Sequence, residues 1–204
     1  MKRSGFTLIE LSIVLIIIGL IIGGVMKGKD LINSADQKKI YNTWVNQWIV
    51  TANEYQDRTG NILGDGGSGA PVDNGGSAST NDGRFDNIRL DNTVTVQNKL
   101  KSVGLDVPVS NIASTNGGAY NIKGKYATSQ AVAYLYYLHS NIDNSNSNKL
   151  YIVGMPTDVA IAFDKMADGS VDPQHGTFRI YPDDSVTTWP DASTTTTVNV
   201  SLEL

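Results

Sequence analysis

Cysteine is absent from the 204 residues, which removes disulfide staples, thiol chemistry, cysteine-type zinc sites and covalent haem attachment together. Histidine occurs only at His139 and His175, and neither a Gly-x-Ser-x-Gly nor a His-Glu-x-x-His pattern is present. His139 falls in an apolar run and His175 in an Asp/Gly turn, so each is more simply structural. Basic residues are in deficit, 16 Lys+Arg against 20 Asp+Glu for a net charge of −4, and no basic patch marks a nucleic-acid surface. No catalytic group, no cofactor and no nucleic-acid partner is expected. A head outside the cytoplasm would have to stand on its apolar core, or on a bound ion.

What the chain has in excess is one uninterrupted apolar run. After the short basic leader Met1-Lys2-Arg3-Ser4-Gly5, residues 6–26 carry a single formal charge, Glu10. As a helix that run is roughly 31 Å long, enough to cross a bilayer core. It exceeds the apolar core of a secretory signal, and no A-x-A-like site closes it, because Gly23-Gly24-Val25-Met26 runs straight into Lys27. The plainest expectation is a permanent anchor, with Lys2 and Arg3 cytoplasmic and the C-terminal head outside.

Glu10 is the anomaly in that span, since a carboxylate at membrane depth costs ~3 kcal/mol or more near a helix centre. One account places it near the cytoplasmic interface, where the cost is lower. The other asks for a cation, and no basic residue lies within residues 6–26. A newly exposed α-amino group on Phe6 points away along its own helix axis. The amine of a neighbouring copy, offset by a few residues, fits better.

Gly5-Phe6-Thr7-Leu8-Ile9-Glu10-Leu11, followed by Ser12-Ile13-Val14-Leu15-Ile16-Ile17-Ile18-Gly19, resembles the class III signal of type IV pilins and type II secretion pseudopilins. The resemblance implies that a prepilin peptidase cuts after Gly5 and methylates the new N-terminus at Phe6. It makes Glu10 the glutamate that pairs with a neighbour's terminal amine during assembly. Many pilins carry a proline near the far end of the apolar run, whereas this chain has Gly19, Gly23, Gly24 and Gly28. Each glycine costs up to ~1 kcal/mol relative to alanine in a helix interior. The four would let packed helices approach closely or let the helix unwind locally in a filament.

Residues 30–59 continue the helical pattern, with Tyr41, Trp44, Val45, Trp48, Ala52 and Tyr55 forming one apolar stripe and Gly60 a natural stop. The stripe is expected to pack on a sheet made by the rest of the chain. Residues 61–87 read as an exposed Gly/Asn/Asp loop; Asp65, Asp73, Asp82 and Asp86 invite a calcium site, but Asn81-Asp82-Gly83 lacks the alternating acids and has Arg89 at the closing position. A short helix is expected over 93–105, ending at Gly104 with Val96, Leu100 and Val103 on one face. Residues 131–139 and 150–153 read as a hairpin around a polar turn at 141–148, with a helix over 130–139 as the competitor. Core or sheet-face packing is the simpler use of Tyr134, Tyr136 and Tyr137 than an electron path.

Pro156-Thr157 opens a helix with Thr157 as candidate N-cap, buried Val159, Phe163 and Met166, and a stop at Asp168-Gly169. Residues 177–181 then form a strand. As an EF-hand, the segment from Asp164 fails, with Met166 and His175 at two ligand positions; a looser ion site of Asp164, Asp168 and Asp172 competes with plain turn chemistry. Alternation through 194–204 gives a half-buried strand that finishes the sheet, with Thr196, Val198, Val200, Leu202 and Leu204 facing one way.

The order of these segments also resembles larger pilin-like proteins: a tyrosine-bearing stretch from Tyr55 to Gly60, a Gly/Asp-rich loop, and a Pro-x-Asp-x-Ala helix running into an Asp-Gly turn. The expected fold is α+β and pilin-like, a long N-terminal α-helix packed on an antiparallel β-sheet head. Its parts would be a leader at 1–5, a transmembrane and filament-core half at 6–29, and a head at 30–204 that includes the amphipathic helix 30–59. The resemblance implies a filament subunit held first in the inner membrane, then in an extracellular or periplasmic filament. Its partners would be prepilin peptidase, an inner-membrane assembly platform, the membrane before assembly, and other pilin subunits. A type II secretion pseudopilin, or a minor pilin with an adhesive or DNA-uptake role, is the alternative.

Overall fold

A computed structural model describes residues 7–65, 83–91, 94–140, 142–182 and 186–204. The chain divides into two compact units, Met1–Lys39 and Ile40–Leu204. Helical conformation runs without a break from Leu8 to Thr59, as α1 (Leu8–Ile40), a π turn (Tyr41–Val45) and α2 (Asn46–Thr59). Among the described residues of the first unit, those from Leu8 on are helical and none is buried.

In the second unit the apolar stripe behaves as its spacing dictates. Trp44, Val45 and Trp48 are fully buried, with Ala52 and Tyr55 nearly so. The stripe asks one turn to bury the adjacent residues Trp44 and Val45. The helix meets that demand by widening to π geometry, in which the N–H of Asn46 reaches back to the carbonyl of Tyr41. Gly60 stops α2 in the left-handed conformation, φ 72°, with its N–H on the carbonyl of Gln56.

The helical residues of this unit and α3 (Val94–Ser102) and α4 (Thr157–Asp168) share one core with a six-stranded sheet. Every pairing is antiparallel, and the strand order is β1 (Ile88–Arg89), β3 (Thr128–Ser140), β4 (Ser145–Pro156), β6 (Thr197–Glu203), β5 (Phe178–Ile180). Strand β2 (Ala119–Lys123) shares the outer edge of β3 with β1, pairing with Thr128–Val132 while β1 pairs at Tyr134 and Leu135.

The hairpin prevails over the competing helix at 130–139. Ala131, Ala133 and Leu135 enter the core at period two, and β3 pairs with β4 from Val132↔Val153 to Ser140↔Ser145. Its polar turn is shorter than the expected 141–148, because Ser145, Asn146, Ser147 and Asn148 are already laddered against Ser140, His139, Leu138 and Tyr137. Polar composition suggested loop there, yet a ladder needs backbone partners rather than apolar side chains.

Thr157 is not an N-cap. Pro156 occupies the flanking position, and Thr157 is the first helical residue, its Oγ1 donating to the carbonyl of Thr195 at 2.5 Å. The C-terminal strand is not at the sheet's end. Strand β6 inserts between β4 and β5, where Val198, Val200 and Leu202 face the core. Ser201, on the opposite face, is also buried, because Tyr151 and Arg179 flank it in the ladder.

A carbonyl in the turn ahead of β2 holds two tryptophans of the helix. Gly117 O accepts the indole N–H of Trp44 at 2.8 Å and of Trp48 at 3.0 Å. Gly117 has φ 79°, and a Cβ there would sit 2.2 Å from the carbonyl oxygen of Pro108. A Cβ on Gly118 would lie 2.0 Å from the carbonyl carbon of Leu90. Glycine is required at both, and their close approach to neighbouring backbone puts the carbonyl where two tryptophans meet.

Candidate functional site

The N-terminal helix is organised around its first turn. Thr7 precedes α1, and Glu10 stands three residues later, the spacing of a capping box. Both halves of that motif are made. The Thr7 N–H and hydroxyl each donate to Glu10 Oε2 at 2.8 Å, and the Glu10 N–H donates to Thr7 Oγ1 at 3.3 Å. The carboxylate therefore covers donors that a helix N-terminus leaves unsatisfied, at the end where the peptide dipoles favour negative charge. Within one chain Glu10 has a local purpose, independent of any neighbour. Thr7 is not among the residues expected from the sequence, although Thr-x-x-Glu spacing ahead of an apolar run is its signal. Gly5 and Phe6, the expected cleavage and methylation positions, lie outside the described residues.

Beyond Glu10, α1 carries its apolar side chains into the open. Leu8 is 88% exposed and Leu20 71%, and the run through Met26 stays exposed on every side. The helix is long and apolar enough to cross a membrane. An apolar surface of this extent, exposed all round, is covered in a working protein by lipid or by other protein. Fully burying one such side chain is worth about 1.5–3 kcal/mol, so the summed drive is large.

The four glycines have no partner within the chain. A Cβ built on Gly19, Gly23, Gly24 or Gly28 meets nothing within 4 Å. Nothing among the described residues of a single copy therefore requires glycine there, and none of them compensates the helix-propensity cost. Gly19 with Gly23, and Gly24 with Gly28, have the four-residue spacing that lets two helix backbones approach.

The other sequence candidates are used structurally. Asp164 is fully buried, and its Oδ2 accepts the Trp189 indole N–H and the Asp172 N–H, both at 2.8 Å. Burial raises its pKa, against the lowering effect of those two bonds. Asp168 instead caps the start of β5, accepting from the Thr177 N–H and hydroxyl and the Phe178 N–H. Asp172 folds its own turn through the N–H groups of Gln174 and His175. The three carboxylates thus serve different donors, and among the described residues no group of three metal-ligating side chains gathers.

Of the calcium candidates in the long loop, Asp73 and Asp82 lie outside the described residues. Asp65 is buried and accepts the Gly83 N–H at 2.7 Å, which ties one flank of the loop to the other. Asn148 on β4 completes that tie by accepting from the Phe85 N–H and donating to Gly83 O. His139 is exposed beside Asn146, with Nδ1 at 3.2 Å from Oδ1. Tyr134 and Tyr136 pack with Tyr151 at ring-centroid distances of 5.9 Å, and the guanidinium of Arg84 lies over Tyr137. These are sheet-face contacts, as expected.

Residues 1–26 match the family model of the prokaryotic N-terminal methylation motif. No curated protein and no solved structure matches the chain.

Proposed function

We propose that this chain, carrying the class III prepilin signal of type IV pilins and pseudopilins, is a structural subunit of an extracytoplasmic type IV pilus-like filament. The observation that carries the proposal is the first part of α1, exposed and apolar through Met26 with one carboxylate, within a methylation motif. Cleavage after Gly5 leaves an amine on Phe6, and methylation keeps that amine cationic. The membrane holds the apolar helix before assembly, with the head outside the cytoplasm. In the filament other copies replace the lipid. Glu10 of one copy then receives the Phe6 amine of the next, which sets the axial step between subunits. The assembly glutamate keeps its tie to Thr7 through Oε2 while the rest of the carboxylate meets the incoming cation.

Two variants separate the uses of Glu10. Glu10→Gln preserves an acceptor for Thr7 but removes the charge, whereas Thr7→Ala removes the hydroxyl contacts of the cap and keeps the charge. The proposal expects Glu10→Gln to stay in the inner membrane at normal level and drop out of filaments, while Thr7→Ala assembles. Filaments of normal yield from Glu10→Gln would defeat the register argument. Intact mass of the purified protein tests processing: the expected species begins at Phe6 and is one methylene heavier than the bare chain.

A pseudopilin of a type II secretion system would share the same processed helix. Electron microscopy of the cell surface, with and without the gene, distinguishes the two: a pilus subunit removes surface fibres when deleted, and a pseudopilin removes secretion of exoproteins instead.

A further inference from the structure

The loop between α4 and β5 and residues 187–189 border an open pocket of about 410 Å³ whose walls include Asp172, His175, Thr187, Thr188 and Trp189. It lies in the second unit, among residues the filament proposal does not use. Its volume is in the range of small-ligand sites.

Trp189 is the fixed wall. Its indole N–H is held by the buried Asp164 Oδ2 at 2.8 Å, and its ring stacks on Phe178 at 6.5 Å with an interplanar angle of 29°. One face and the N–H edge are therefore committed, which leaves the remaining ring surface for the cavity. A buried carboxylate holding the tryptophan of an exposed loop sets the orientation of the ring before any ligand arrives, so binding pays little ordering cost.

The polar lining is mixed in character and carries one carboxylate. Asp172 keeps its carboxyl below the usual range, chiefly through the Gln174 N–H with the His175 N–H and ring adding to it, so it presents an acceptor. His175 Nδ1 lies 3.0 Å from Asp172 Oδ2. That contact orients the ring and leaves Nε2 for a ligand. Thr187 and Thr188 add hydroxyls that donate or accept, and among the described residues neither has a partner. Among the described residues no Lys or Arg lines the cavity, which disfavours phosphate, sulfate or carboxylate ligands.

We propose that this cavity is a binding site for a neutral saccharide unit, with the C–H face of the sugar ring on Trp189 and its hydroxyls bonded to Asp172, His175, Thr187 and Thr188. The chemistry matches on each count. Sugar C–H bonds are weakly positive and suit the negative face of an aromatic ring. Vicinal hydroxyls supply the donors and acceptors that a carboxylate, an imidazole nitrogen and two hydroxyls require. On a filament subunit such a site would attach the head to glycan.

The full chain in detergent micelles supports a direct test by the indole N–H resonances in ¹H–¹⁵N spectra. Trp44 and Trp48 are fully buried against Gly117 O and serve as internal controls. The probes are the methyl glycosides of glucose, galactose, mannose and N-acetylglucosamine, titrated to on the order of 0.1 M, a hundredfold above a millimolar Kd. The expected result is a saturable shift of the Trp189 resonance by at least one glycoside, with Trp44 and Trp48 unmoved. Thr187→Val with Thr188→Val should weaken that binding about tenfold while the control resonances stay in place. The proposal is overturned if none of the four glycosides shifts Trp189, or if the double valine variant binds them equally well. Saturation by inorganic phosphate alone would overturn it too.

Discussion

Trp44 and Trp48 share one acceptor, and this makes a quantitative prediction about how the helix is held to the turn ahead of β2. Gly117 O is buried and receives both indole N–H groups, at 2.8 and 3.0 Å. Replacing either tryptophan with Phe removes one hydrogen bond, worth about 1 kcal/mol, and adds the penalty of a smaller ring in a filled space. In either single variant the carbonyl keeps the other indole. In the double variant it keeps neither, and an unsatisfied buried carbonyl costs about 1–3 kcal/mol more. The double loss should therefore exceed the sum of the two single losses by that amount. Urea unfolding of the four proteins, followed by circular dichroism so that the missing indoles do not affect the signal, measures the excess directly. Additivity within ~0.5 kcal/mol would refute the shared-acceptor account. A double variant less damaging than the sum would show that the space collapses cooperatively and that the carbonyl finds another donor.

Acid titration should separate two carboxylates of α4. For Asp168 burial pushes the pKa up, but the Thr177 hydroxyl and the Phe178 and Thr177 N–H groups outweigh it, and the net shift is downward from 3.8. Its stabilisation is present above 3.8 and is lost as the pH falls through the lower folded value. Asp164 is shifted up from 3.8 by burial, so the stability it lends is full below that value and is lost as the pH rises through the folded one. Compared with Asp164→Asn, the parent protein should thus gain relative stability as the pH is lowered from neutral toward 4, read from paired urea midpoints; a pH-independent gap would rule this out. Gly124→Ala places a Cβ 2.3 Å from Asp158 Oδ1 and 2.9 Å from Pro156 Cβ, and should cost about 1–3 kcal/mol in the same assay. A neutral result there would mean that the α4 start is free to shift. Gly23→Leu should leave the unfolding midpoint of the head unchanged, because a side chain there meets nothing in a single copy, yet lower filament yield by microscopy. Normal filaments from Gly23→Leu would show that the glycines are not a packing surface.

The sequence by itself determined where the chain is apolar enough to cross a membrane. A long apolar run with a single carboxylate declares its solvent whatever the fold, because hydrophobicity and length are properties of composition. The Trp/Tyr stripe, the left-handed stop at Gly60 and the α4 to Gly169 unit were equally legible, since helix periodicity and glycine caps are local. Alternation made the hairpin and β6 visible as strands. Their places in the sheet were another matter. That β6 inserts between β4 and β5 depends on which long-range pairings bury most apolar area, and a period-two pattern is the same at an edge or in the middle. The polar residues Ser145 to Asn148 became strand because the ladder continued through them, against their composition.

At the candidate sites the line falls in the same place. The methylation motif could be read from residues, and Thr7, the capping partner of Glu10, lay three positions away from it. The π turn at Tyr41–Val45 and the common acceptor Gly117 arise from a meeting of segments some 70 residues apart, at separations of 69 and 73, which no local pattern encodes. The fate of Asp164, Asp168 and Asp172 was likewise tertiary. Their spacing suggested an ion site, but the folded chain aims each at different donors, and it is Trp189 that the buried one holds.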